Sequence, residues 1–308
     1  MSRIHEALKK AAQGRSSQLA TGVQPDLVDV AAEVHKSIVA ETHTAERLAR
    51  GIRGSDGVPY LRFEDLVKGC AHPKWEPDPR MSVFESGENG SLGAERFRTL
   101  RSRLYQVAGT RPLRRILITS SVPAEGKTFV AANLAQSFVR QPDRRVLLID
   151  ADLRASRLHQ VLGAPGTPGL AEYLRGEADE FAVIQKGGDD NLCLIPGGAE
   201  VTNPSELLLG DRMKKLLDVV TPVFDWIILD SPPALAVHDA SSLADLCNGV
   251  LFVVKAGKTD HQVAEKASSE FLKKNLLGVV LNGVDKHGSY GDYYSGYAGY
   301  DREDTDRK

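Results

Sequence analysis

From Arg114 onward, short apolar runs alternate with amphipathic stretches. The runs at 115–119, 146–150, 192–195, 226–230, 250–255 and 278–282 are mostly unbroken Ile, Leu and Val. Apolar runs of this length, without polar alternation, suit strands buried on both faces. Helical patterns lie between most of them. One has a marked start at Asn203-Pro204-Ser205-Glu206, with a cap residue, a proline in the first turn and Glu three places after the cap. The alternation predicts an α/β domain, doubly wound around a mostly parallel sheet. In such sheets ligands bind at the carboxyl ends of the strands.

The pattern changes at both ends of the chain. Residues 1–85 show no strand pattern. Ser2 to Ala12 suggests a short amphipathic helix, and Leu27, Ala31, Val34, Ile38, Ala45, Leu48 and Ile52 suggest a longer one. Gly51, Gly54 and Gly57 break it, and Pro73, Pro77, Pro79 and the Gly-rich stretch 86–90 read as a linker. Two readings fit this arm: a partly disordered terminus, or a docking arm for a partner protein. A strong helix follows, which Ser91 can cap, with Phe97, Leu100 and Leu104 as its inward stripe. Glu95, Arg98 and Arg101 share its polar face, either as solvated intrahelical pairs or as an interface to another subunit's carboxylates. The tail 288–308 holds five of the eight tyrosines, Tyr290, Tyr293, Tyr294, Tyr297 and Tyr300, spaced by glycines. Its composition predicts a flexible segment. The organisation expected is therefore arm and linker (1–85), catalytic domain (86–287) and tail (288–308).

Composition adds mainly exclusions. A formal net charge of -2 over 308 residues gives no reason to expect nucleic-acid binding. The three cysteines are far apart and odd in number, as suits reduced structural thiols. No apolar stretch approaches the roughly 18 residues of a membrane span, and the N-terminus has no apolar signal core. A cytoplasmic protein is expected, reaching a membrane through a partner.

The chemistry is concentrated after the first strand. There Ser120-Ser121-Val122-Pro123-Ala124-Glu125-Gly126-Lys127-Thr128-Phe129 joins a strand to a helix. Strand, loop, Gly-Lys-Thr and helix make a phosphate-binding loop, whose amides and helix N-terminus present positive charge. Lys127 would reach the β/γ-phosphates and Thr128 would bind Mg²⁺. Ser121 stands where the strict motif has glycine, so other residues must support the assignment. They do: Asp150 and Asp152 lie two apart at the end of one run, and Asp230 ends another, at a Walker-B position. Mg²⁺ takes one or two carboxylates together with phosphates and water.

Together these residues resemble the bacterial tyrosine kinases (BY-kinases) of capsular and exopolysaccharide systems. Residues 120–128 resemble that family's Walker A, which tolerates a non-glycine where Ser121 stands. Asp150-Ala151-Asp152-Leu153-Arg154 resembles its Walker A′, and Asp230-Ser231-Pro232-Pro233 its Walker B. Glu95-x-x-Arg98-x-x-Arg101 resembles its oligomerisation motif, and the Tyr-rich tail completes the set. The resemblance implies a P-loop NTPase-type fold and an ATP- and Mg²⁺-dependent, non-specific protein-tyrosine kinase. Loop residues 121–129 would hold ATP, with Asn282 as an adenine contact. Thr128, Asp152 and Asp230 would hold Mg²⁺, and Asp150 would be the base toward a tyrosine hydroxyl. It also implies rings in which one subunit's tail reaches a neighbour's site. A separate transmembrane adaptor of the polysaccharide co-polymerase type and a cognate tyrosine phosphatase are the other implied partners. Two alternatives stay open. A ParA/MinD-like positioning ATPase would carry a signature lysine where Val122 stands. A nucleotide-binding scaffold without kinase activity would not need the Asp150/Asp152 pair.

Overall fold

The computed structural model describes residues 61–84, 92–188 and 191–284. The arm to residue 60, the Ser91 cap and the tail tyrosines lie outside the described residues. Strands β1 (Arg115–Ser120), β2 (Val146–Asp150), β3 (Gln185–Lys186), β4 (Leu192–Ile195), β5 (Trp226–Asp230), β6 (Gly249–Lys255) and β7 (Leu276–Asn282) form one sheet. Its order is β3-β4-β2-β5-β1-β6-β7. All pairings are parallel except β3 with β4. The fold is thus the mostly parallel, doubly wound α/β sheet that the apolar runs imply, of the P-loop NTPase type that the resemblance implies. The short antiparallel β3 has no counterpart among those runs, because two residues cannot show a period.

The helices of the described residues are α1 (Phe63–Gly69), α2 (Leu92–Ala108), α3 (Lys127–Val139), α4 (Leu158–Leu162), α5 (Leu170–Arg175), α6 (Glu180–Val183), α7 (Pro204–Leu209), α8 (Asp211–Val220), α9 (Asp239–Asp245) and α10 (His261–Ser269). They bury both faces of the sheet. Leu147, Ile149, Ile227 and Leu229 join one core, while Val146, Leu148, Trp226 and Ile228 join the other. Successive strand side chains point to opposite faces, so unbroken apolar runs are required here. At α7, Asn203 occupies the cap position and Pro204 the first turn, but the Asn203 side chain makes no capping bond. Its Nδ2 instead donates to Glu206 at 3.3 Å.

Helix α2 packs across α3 through aromatic rings. Phe138 stacks on Trp226 with centroids 4.1 Å apart, and Tyr105 meets both edge-on. Phe97 and Leu104 are buried as the helical stripe requires, and Leu100 is half-buried.

Residues 61–84 pack on the domain, where sequence suggested arm and linker. Leu66 is fully buried in the same core as Leu147 and Leu216. Beyond α1 the chain runs extended along the domain. Lys186 donates its N–H to the Ala71 carbonyl at 2.9 Å, and Glu76 donates to Gly163 at 3.2 Å. Asn133 of α3 closes the strap: its Oδ1 accepts from Val83 N–H, and its Nδ2 donates to the Met81 carbonyl, both at 2.8 Å. Replacing Leu66 by alanine should therefore lower unfolding free energy by about 2–5 kcal/mol. Urea unfolding of the full chain checks this; a change within ±0.5 kcal/mol, the surface range, would make the strap energetically peripheral. No helix of the described residues is long and apolar enough to cross a membrane.

Candidate active site

The carboxyl ends of β1, β2 and β5 converge, with β1 between β5 and β6. Register sets Asp150 beside Asp230, and Ile118 beside Asp230. The loop after β1 then turns into α3 at Gly126, whose φ of 93° is left-handed. A Cβ there would come within 2.0 Å of Asn282 Nδ2, so only glycine fits. Ala124 in the same loop also has positive φ, 66°. Amides at the start of a helix have no intrahelical acceptor and point outward.

Lys127 opens α3 and its ammonium lies among the acids. Nζ donates to Asp152 at 2.7 Å and lies 3.8 Å from Asp230. Burial pulls the Lys127 pKa down, but Asp230, Asp152 and Asp150 together outweigh it and hold it above the usual lysine value. The Thr128 hydroxyl lies close enough to Asp230 to favour its charged form. Burial pushes the Asp230 carboxyl up to about 7, against the attraction of Lys127. Asp230 Oδ1 and Ser121 Oγ are buried without a hydrogen-bond partner among the described residues. An orphaned buried carboxylate oxygen beside a threonine hydroxyl and a second carboxylate fits the donor set of Mg²⁺. Among the described residues no three acidic, His or Cys groups form a metal cage by themselves. A Mg²⁺ shell completed by phosphate and water does not require one.

Asp150 is fully buried at the end of β2. Its Oδ2 accepts from Ser156 Oγ at 2.8 Å and from the N–H groups of Arg157 and Leu158 at 2.9 Å. It thereby caps the start of α4. Its Oδ1 takes a single, longer bond from Asp152 N–H at 3.3 Å. Burial raises the Asp150 pKa despite these donors.

Several loop residues have roles that residue type alone does not show. The Glu125 carboxylate turns back into the loop, taking Val122 N–H at 2.8 Å and Lys255 N–H at 3.3 Å. It also accepts from the Thr259 hydroxyl. A carboxylate in a phosphate-binding loop is the one sequence signal for this brace. Asn282 Nδ2 donates to the Glu125 carbonyl at 2.9 Å, so this amide braces the loop as well. The Phe129 ring packs edge-on against Phe97 at 6.0 Å. Pro123 offers no N–H, and Val122 N–H is already taken by Glu125.

On α2, Glu95 and Arg98 pair with each other. Arg101 instead donates to the Ser137 carbonyl near the end of α3. Arg101 still lies within electrostatic reach of Glu95 and Arg98, so the three share one face of the helix. Cys70, Cys193 and Cys247 are buried thiols, and burial pushes Cys247 up to about 12.

Comparison with known proteins agrees with this geometry. Residues 115–263 match the family model described as an AAA domain. The tyrosine-protein kinase YwqD of Bacillus subtilis is 36% identical over 216 residues, covering 69% of this chain and 91% of that protein. The tyrosine-protein kinase etk of Escherichia coli is 37% identical over 233 residues, covering 74% of this chain but 31% of that longer protein. The solved kinase domain of Escherichia coli ETK superposes with a TM-score of 0.63 at 34% identity, covering 66% of this chain and 80% of that one. A lysine-bearing phosphate loop facing three strand-end aspartates, in a chain with these relatives, belongs to the bacterial tyrosine-protein kinase family.

Proposed function

We propose that this chain transfers the γ-phosphoryl group of ATP to protein tyrosines, its own tail tyrosines first. The observation that carries the reading is the convergence of Lys127, Thr128, Asp150, Asp152 and Asp230 at three neighbouring strand ends. The amides of residues 124–129 and Lys127 hold the phosphates, and Asn282 meets adenine through the carbonyl end of its bracing amide. Thr128, Asp152 and Asp230 are the oxygen donors for Mg²⁺, which supplies charge neutralisation on the phosphates. Asp150 receives the tyrosine proton through Oδ1, its less occupied oxygen. A tyrosine with pKa of about 10 is protonated at neutral pH and needs such a base. The tyrosine oxygen bonds to the γ-phosphorus as the β–γ bridging bond breaks, and ADP leaves.

The physiological setting we infer is control of exopolysaccharide or capsule assembly. The chain would form a ring through α2, present its tail to a neighbour's site, and be reset by a tyrosine phosphatase. A separate transmembrane adaptor would bring it to the inner face of the membrane. Each phosphotyrosine adds about -1.5 to -2 charges, so a modified tail should disfavour the ring. The test is mass spectrometry of the tail after incubating the full chain with ATP, Mg²⁺ and cytoplasmic fragments of candidate adaptors. Phosphate on Tyr290, Tyr293, Tyr294, Tyr297 or Tyr300 is expected in the wild type and not in Lys127→Met. An unmodified tail in both would overturn the reading.

A further inference from the structure

The Asn203-Pro204-Ser205-Glu206 helix start plays no part in the phosphate site described above, yet the structure ties it to that site. Arg154 Nη2 donates to Ser205 Oγ at 2.8 Å, and Arg154 Nε donates to Asp239 Oδ2 at 3.0 Å. Ser205 Oγ in turn donates to Asp239 Oδ1 at 2.5 Å. The Asp239 side chain is 2% exposed, and each of its oxygens holds one donor. A buried carboxylate keeps its charge only with partners of this kind.

Three segments meet at this clamp: the turn after β2, the first turn of α7, and the first turn of α9 beyond β5. The turn after β2 carries Asp152. Ala155 N–H closes that turn by donating to the Asp152 carbonyl at 3.1 Å and lies 3.2 Å from its Oδ1. Arg154, inside the turn, fixes it to α7 and α9. Asp152 is thus held from two sides, by its own turn and by the clamp, while its Oδ2 faces Lys127.

We propose that Arg154, Ser205 and Asp239 are positioning residues that hold Asp152 at the geometry Mg²⁺·nucleotide requires. They act through the 152–155 turn and bind neither phosphate nor metal themselves. Mg²⁺ demands near-ideal octahedral geometry, so a small swing of one ligand is costly. Loss of groups that orient a ligand weakens metal binding by about 10–100-fold. The proposal rests on the reading of Asp152 as a Mg²⁺ ligand, and the experiment separates the two.

The affinity of the full chain for the non-hydrolysable analogue AMP-PNP is measured by calorimetry with Mg²⁺ and with EDTA. Ser205→Ala and Arg154→Lys should each lose about tenfold in affinity with Mg²⁺ and change by less than about twofold in EDTA. Ser205→Thr, which keeps the hydroxyl, should behave as wild type. Arg154→Lys keeps the charge but not the fork that serves two acceptors at once. Equal losses with and without Mg²⁺ would make the cluster a phosphate contact or a general support, and overturn the proposal. So would wild-type behaviour of both variants. Asp152→Asn is the control: if it keeps the full Mg²⁺ dependence, the ligand assignment itself fails. If it loses that dependence while Ser205→Ala and Arg154→Lys retain it, only the clamp is wrong.

Discussion

Lys127→Met should slow tyrosine phosphorylation by at least about 10²–10³-fold while leaving the chain folded. The Lys127 side chain is 12% exposed, and its ammonium sits between Asp152 and Asp230. It is a fixed positive charge in a low-dielectric site, placed where negative charge shifts during phosphoryl transfer. Methionine matches the stem's length and removes the charge. The fold should survive because the neighbouring acids can respond. Asp230, already pushed up to about 7 with Lys127 attracting its charged form, would rise further and be neutral at pH 7. Lys127→Arg should not restore the rate, because a planar fork does not fit where a compact ammonium lies between two carboxylates. Single-turnover appearance of phosphotyrosine, with thermal melting of each variant, checks both halves. A rate within tenfold of wild type would remove Lys127 from the chemistry.

Much of this arrangement is legible in sequence, for a physical reason. Strands covered on both faces need unbroken apolar runs, so β1, β2, β5 and β6 announce themselves, and with them the strand ends where Asp150, Asp152 and Asp230 stand. A phosphate loop must join a strand to a helix, which fixes Lys127 and Thr128. Where a side chain turns within such a segment is a tertiary matter. Glu125 and Asn282 look like ligand contacts because they lie in the loop and at a strand end. The Glu125 carboxylate and the Asn282 Nδ2 also satisfy main-chain groups of the loop, which residue type alone does not show. Arg101 shares its helix face with Glu95 and Arg98, and its bond to α3 is not visible in the spacing. It turns inward because the last carbonyls of α3 lack helical donors and an arginine can supply one. The prolines of 73–79 look like linker punctuation. An extended strap tolerates them, since the N–H groups of Glu76, Asp78 and Val83 still reach Gly163, Val161 and Asn133. Arg154 and Asp239 are far apart in sequence, and no period or motif spacing relates them.

Asp230→Asn should make the nucleotide-free protein more stable at pH 8 and abolish its kinase activity. The carboxyl is 1% exposed, and its pKa rises from 3.8 to about 7 because burial outweighs the pull of Lys127. The native state therefore holds this proton more tightly than the unfolded chain does. Below about pH 4 both states are protonated and the stabilisation is complete. As pH rises from there the unfolded chain ionises first, so stability falls until the native carboxyl ionises near 7. Above that the full cost of the buried charge is present, on the order of a few kcal/mol. Asparagine keeps the shape and carries no charge, so its advantage should be absent near pH 4, grow as pH rises, and be complete above pH 7. Asp150, also raised by burial, leaves some slope in the variant. Urea unfolding from pH 4 to 8 checks the sign, and a variant less stable than wild type at pH 8 would refute it. The residue whose burial costs stability is the one whose Oδ1 lacks a hydrogen-bond partner and is suited to a cation. A stability gain that removes function is what a charge retained for ligand binding predicts.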